Sequence, residues 1–159
     1  MVRVASILAV MTLVSVTGGD ALARSRSHQA AARALGNGVF LSIDEHHVEP
    51  AHEADGLIAV HVTLSNNGSM PVKLDYLTFS LSSSAGGRSL ALLPSELNGQ
   101  VEPSLLLHEG VLAKGQTMMA VLYFRSLSPS ARSVDLRVDL ANAEGRPVSR
   151  SFLPLAATR

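Results

Sequence analysis

The chain has 159 residues, with 13 basic and 13 acidic side chains, 6 His, 7 Pro, 12 Gly, no Cys and no Trp. That length suits one domain, and zero net charge lacks the basic footprint of a general nucleic-acid binder. At 47% hydrophobic and 16% charged the chain is too apolar to stay unfolded, and the absence of Cys excludes disulfides, thiolate metal sites and a Cys nucleophile.

The first 23 residues read as a secretory signal peptide. Arg3 opens a short positive start, residues 4–16 are almost continuously apolar, Thr17-Gly18-Gly19 breaks the run, and Ala21-Leu22-Ala23 offers a cleavage site. Thirteen residues make about 20 Å of helix, short of a hydrocarbon core of about 30 Å. No later apolar stretch approaches membrane-spanning length, so no membrane span is expected after cleavage. The sequence places the protein outside the cytoplasm, secreted or periplasmic.

Residues 24–38 are expected to be a flexible lead-in. The run from Ala30 to Leu35 has helical propensity, but one or two turns do not persist alone in water. Gly36-Asn37-Gly38 ends the run.

From Val39 the hydrophobic period becomes two, and residues 39–159 are assigned to one β-domain. Val39 to Ile43 forms a first strand candidate. Ile58, Val60, Val62 and Leu64 alternate with Ala59, His61 and Thr63 in a second, which ends at the turn residues Asn66-Asn67-Gly68-Ser69. In the next segment the apolar set moves from Val72, Leu74 and Tyr76 to Leu77, Phe79 and Leu81, which predicts a bulge near Tyr76. Ser89 to Leu93 suggests a short strand, Pro94 to Asn98 a helical turn, and 105–111 is ambiguous. Met118, Ala120, Leu122 and Phe124 share one strand face, as do Val134, Leu136, Val138 and Leu140, and a strand from Val148 to Leu153 returns. About seven short strands without a long helix predict an all-β, antiparallel immunoglobulin-like β-sandwich.

Two segments carry a resemblance. Val60-His61-Val62-Thr63-Leu64-Ser65-Asn66-Asn67-Gly68-Ser69-Met70-Pro71-Val72 resembles the strand, Asn, polar turn and Pro-Val of exported bacterial immunoglobulin-like (telokin-like, DUF4352-type) domains. Leu112-Ala113-Lys114-Gly115-Gln116-Thr117, leading to Leu122-Tyr123-Phe124, resembles their Gly turn followed by a strand ending in Phe. Together they cover about a third of the mature chain. The chain departs from the pattern after Phe124, where Pro129 follows across a Ser-rich loop. The resemblance implies the sandwich fold and export, and it carries no active site.

The densest group of potential ligands is Asp44-Glu45-His46-His47-Val48-Glu49-Pro50-Ala51-His52-Glu53-Ala54-Asp55, read as the connection between the first two strands. Imidazoles and carboxylates suit Zn²⁺, Cu²⁺ or Ni²⁺. The candidate metal ligands are His46, His47, His52 and Glu49, with His61 from the next strand. The competing interpretation is a solvated acidic loop, since H-H-x4-H matches no defined metal motif. Met118, Met119, Met70 and His108 could likewise suit copper(I), but methionine on a strand more commonly fills a core. No G-x-S-x-G elbow, phosphate loop or dinucleotide fingerprint occurs, and Asp135, Arg137 and Asp139 read as a self-neutralising outer face. The expected function is non-catalytic binding of another envelope or extracellular protein, with no nucleic acid involved. The alternative is a periplasmic metal-binding protein using the 44–55 loop, with Zn or Cu as the cofactor. A hydrolase with an unrecognised site ranks last.

Overall fold

The computed structural model describes residues 31–48, 56–97, 101–127 and 133–155. These form ten strands and three single 3-10 turns, at Tyr76–Thr78, Pro94–Leu97 and Pro103–Leu105. One sheet has the order β1 (Arg33–Gly36), β2 (Val39–Val48), β3 (Leu57–Asn66), β8 (Thr117–Arg125). In the second, β9 (Val134–Asn142) is central. One edge of β9 pairs with β10 (Pro147–Leu155), and along the other run β4 (Val72–Leu74) and β5 (Phe79–Ser83). Outside these lie β7 (Gly110–Leu112) on β4 and β6 (Arg88–Leu90) on β5. All ladders between named strands are antiparallel. The protein is an all-β, antiparallel immunoglobulin-like sandwich.

Alternation in the sequence becomes the core. Val60, Val62 and Leu64 of β3 face Leu122 and Phe124 of β8 and Leu136, Val138 and Leu140 of β9, all of them buried. Burying each such side chain contributes about 1.5–3 kcal/mol. Met118 packs against this core while Met119 stands 75% exposed, so the adjacent methionines divide between the two faces. A second, smaller cluster lies on the outer face of β3 and β8. There Leu57 and Tyr123 are covered by Leu92, Leu97 and Leu106 from the segment that crosses between the sheets.

Several expectations are corrected. The lead-in is not wholly outside the fold, because Arg33–Gly36 is a strand paired with β2 and Leu35 joins the core. A four-residue run gains more from the waiting edge of β2 than local helix propensity offers. The 44–55 segment is not all loop, because β2 continues to Val48. The offset near Tyr76 is a 3-10 turn rather than a bulge. Asp75 caps it by accepting from the Thr78 amide at 2.9 Å, while the Asp75 amide donates to Thr78 Oγ1 at 3.1 Å. This turn throws Leu77 outward, 68% exposed, before Phe79 and Leu81 re-enter the core. The signal-peptide residues lie outside the described residues.

Candidate binding site

Among the described residues three surfaces are candidates for a site, beginning with the predicted metal ligands. In the β2–β3 ladder Glu45 lies opposite His61, His46 opposite Val60, and His47 opposite Ala59. A register shift between Ile43 and Glu45 leaves Asp44 unmatched. Asp44 is engaged locally, accepting from Ser42 Oγ at 2.8 Å and from Thr63 Oγ1 at 2.6 Å. Asp44, Glu45 and His61 line a shallow hollow of about 200 Å³ with Met119. His46 shares the face of the core residue Val60, so the strand pleat separates it from His61. Glu49 and His52 lie outside the described residues. Among the described residues no three His, Asp or Glu side chains converge as a metal site.

The outer face of the second sheet is organised around Asp139. Its carboxylate accepts from Arg150 Nε at 2.6 Å and from Arg137 Nε at 2.8 Å, and Arg88 approaches at 3.8 Å. Partial burial pushes the Asp139 pKa up, but the Arg150 and Arg137 bonds outweigh it and hold the carboxyl below its ordinary value. Arg137 also lies 6.0 Å over the Phe152 ring. The sequence grouped Asp135, Arg137 and Asp139 as a self-neutralising face; Arg137 and Asp139 do pair, but Arg150 and Arg88 also converge on Asp139, and among the described residues Asp135 takes no part in these ion pairs.

The third surface is a hollow of about 730 Å³ where β6 meets the end of β8. Such a volume is typical of ligand sites. Its apolar walls include Leu77, Leu90, Leu93 and Leu127, and three of these are large exposed hydrophobics: Leu77 at 68%, Leu90 at 44% and Leu93 at 45%. Tyr76 anchors one side, its hydroxyl donating to the Leu107 carbonyl at 3.0 Å. Burial, together with the Glu109 charge, raises the Tyr76 pKa. Among the described residues the lining includes no histidine.

Backbone bonds tie β6 to both sheets at this hollow. The Ala91 amide donates to the Phe79 carbonyl at 3.2 Å, and the Ser83 amide to the Gly87 carbonyl at 3.0 Å. With these pairs as hydrogen-bonded positions, Ser89 turns its amide and carbonyl towards β5, and Arg88 and Leu90 turn theirs outward. The next outward amide, Leu92, is taken by the Tyr123 carbonyl at 2.8 Å, where the chain crosses to β8. The same antiparallel bridge, Ala91 to Phe124, pairs the Leu90 carbonyl with the Arg125 amide, so the end of β8 covers β6 from Leu90 onward. The opposite edge is guarded: β10 carries Pro147 and Pro154, and β1 lies against it, with Ser151 Oγ 3.5 Å from the Leu35 carbonyl.

Sequence reading missed this site. It assigned Leu77 to the core and Ser89 to Leu93 to a plain strand. The adjacent pair Leu92-Leu93 before Pro94 was the available signal, since two neighbouring strand residues cannot both face one core.

No family model and no curated sequence matches the chain. Solved structures do resemble it. The yjhA protein of Bacillus subtilis aligns with a TM-score of 0.58 and 15% identity over 81% of this chain and 99% of that one. A Listeria monocytogenes protein of unknown function gives 0.52 and 11%, over 81% and 82%. The ycdA protein of Bacillus subtilis, described as a candidate lipoprotein, gives 0.55 and 12% over 79% of this chain. The chain spans only 38% of the length of ycdA. At these identities the likeness is one of fold, and it agrees with the immunoglobulin-like sandwich. No helix among the described residues is long and apolar enough to cross a membrane.

Proposed function

We propose that the chain is an exported, non-catalytic immunoglobulin-like module of the telokin-like, DUF4352-type kind. It binds another protein of the envelope or exterior through the hollow at β6. One observation carries this reading: Leu77, Leu90 and Leu93 stand exposed around a single concavity. Clustered exposed leucine marks an interaction surface, whereas the same residues scattered singly would not. The signal-peptide pattern and the fold of the structural neighbours support export.

Site-specific photo-crosslinking in the producing cell tests it. A photoreactive side chain at position 77, 90 or 93 is expected to capture one and the same protein, and a probe at 119 is expected to capture none. Equal capture from both surfaces, or none from the hollow, contradicts the reading.

A second reading, metal binding by the 44–55 segment, is favoured by the Glu45–His61 pairing beside Asp44. Its test is thermal melting with Zn²⁺, Cu²⁺ and Ni²⁺. A specific ion raises Tm by binding the folded state, and replacing His47, His52 and His61 by Ala abolishes the rise. A melt indifferent to all three ions rejects it.

A further inference from the structure

We infer, independently of the protein-binding reading above, that Met119 is a reversible oxidation site for oxidants of the peroxide class. Its sulfoxide is accommodated at the hollow that Met119 lines with Asp44, Glu45 and His61. The chain has no Cys, so thioethers are the softest oxidisable groups it holds. Outside the signal-peptide pattern there are three of them, Met70, Met118 and Met119.

The pleat of β8 sorts the adjacent pair. Met118 lies opposite Leu64 and packs against the core, whereas Met119 lies opposite Thr63 on the outer face. Met119 is 75% exposed, against 38% for Met70. A dissolved peroxide therefore reaches the Met119 sulfur most readily.

The surroundings decide what the product costs. The sulfoxide is polar, and an apolar core does not tolerate it. At Met118 it would lie among buried groups such as Leu64, which is fully excluded from solvent. At Met119 it meets a hollow of about 200 Å³ whose lining already holds two carboxylates and an imidazole. One added oxygen needs less room than the roughly 30 Å³ share of a water molecule.

The chemistry closes with hydrogen peroxide as co-reactant. A lone pair on Sδ forms the S–O bond, the O–O bond breaks, and the second oxygen leaves as water. Sulfur loses two electrons and the peroxide gains them. A sulfoxide reductase reverses the change, two of its thiols forming a disulfide while the oxygen departs as water. Oxidation thus turns an apolar lip of the hollow into a hydrogen-bond acceptor beside His61 and Thr63, and reduction restores it.

The test is a time course of dilute hydrogen peroxide on the protein produced from the full-length chain, read by peptide mass spectrometry, NMR and thermal melting. Met119 is expected to gain oxygen at least about fivefold faster than Met118, with Met70 between them. Protein oxidised at Met119 alone is expected to keep its Tm and to shift the His61 ring signals, and a sulfoxide reductase is expected to return them. M119L is expected to abolish the shift, and M70L to leave it intact. Oxidation of Met118 or Met70 as fast as Met119 overturns the site. A fall in Tm on oxidation at Met119, or His61 signals that do not move, overturns accommodation at the hollow. Sulfoxide that the reductase cannot remove from the folded protein overturns reversibility.

Discussion

The side-chain amide of Asn66 donates to the carbonyl of Leu112, at 2.9 Å and across 46 residues of chain. The same Nδ2 donates to the Met70 carbonyl at 2.9 Å, and Oδ1 accepts from the Gly68 amide at 3.0 Å. The main chain of Asn66 is also bound: its amide donates to Gln116 at 2.9 Å, and its carbonyl accepts from Gly115 at 2.6 Å. One fully buried side chain therefore ties the turn after β3 to the end of β7. Asn66→Ala leaves two carbonyls and one amide unsatisfied, and a loss of about 3 kcal/mol is expected. That corresponds to a fall in Tm of roughly 10 °C for a domain of this size, read by calorimetry. A loss below about 1 kcal/mol would mean that water replaces the side chain.

Gly68 is required by a close backbone approach. A Cβ there would meet the Asn37 carbonyl oxygen at 1.8 Å, because the β1–β2 turn lies directly against the turn after β3. Gly68→Ala is expected to cost at least about 2 kcal/mol, as the two turns must separate. Gly86→Ala meets nothing within 4 Å and bears only its left-handed φ of +90°, at a cost of about 1 kcal/mol. Parallel urea melts check this order, and a reversal would contradict the contact.

Tyr76→Phe removes the hydroxyl that holds the Leu107 carbonyl beside the hollow. A loss of about 1–2 kcal/mol is expected, with faster hydrogen exchange in the 105–109 segment. Exchange unchanged in that segment would show that Tyr76 does not hold it.

Asp75 and Asp139 give the fold an acid limit. For Asp75 burial opposes ionisation, but the bonds from Lys73 and Thr78 prevail and lower its pKa; for Asp139 the Arg150 and Arg137 bonds do the same. A carboxylate with a depressed folded pKa stabilises above its unfolded value, near 3.9, and loses that contribution as pH falls through the folded pKa. Stability should therefore be flat above about pH 5 and decline below about pH 4. Asp139→Asn should be less stable at neutral pH and decline less steeply in acid. An unchanged slope would show that Asp139 carries none of the acid dependence.

How much was legible depended on where each residue gets its partner. β9 alternates cleanly because one face is core and the other is largely open, so Leu136 and Val138 were readable; Leu122 and Phe124 followed from the same spacing, although Ala120 to Leu122 are all buried because the outer face of β8 is partly covered. β1 was not, because Arg33–Gly36 becomes a strand only by adding to β2, a partner its own composition does not announce. Leu77 was misplaced because its spacing to Phe79 and Leu81 matches the two-residue period of a strand, whereas the chain makes one 3-10 turn there before the strand starts at Phe79. The candidate metal residues were readable as a list but not as a site, since the register between Ile43 and Glu45 decides which face each one occupies. The hollow was least legible of all. It depends on two elements distant in sequence, β6 and the end of β8, meeting at Ala91 and Phe124.

The most direct test of the hollow as the binding surface is photo-crosslinking from its leucines in the producing cell. Probes at 77, 90 and 93 are expected to capture one and the same protein, while a probe at 119 captures none. Equal capture from position 119, or none from the hollow, would contradict the account.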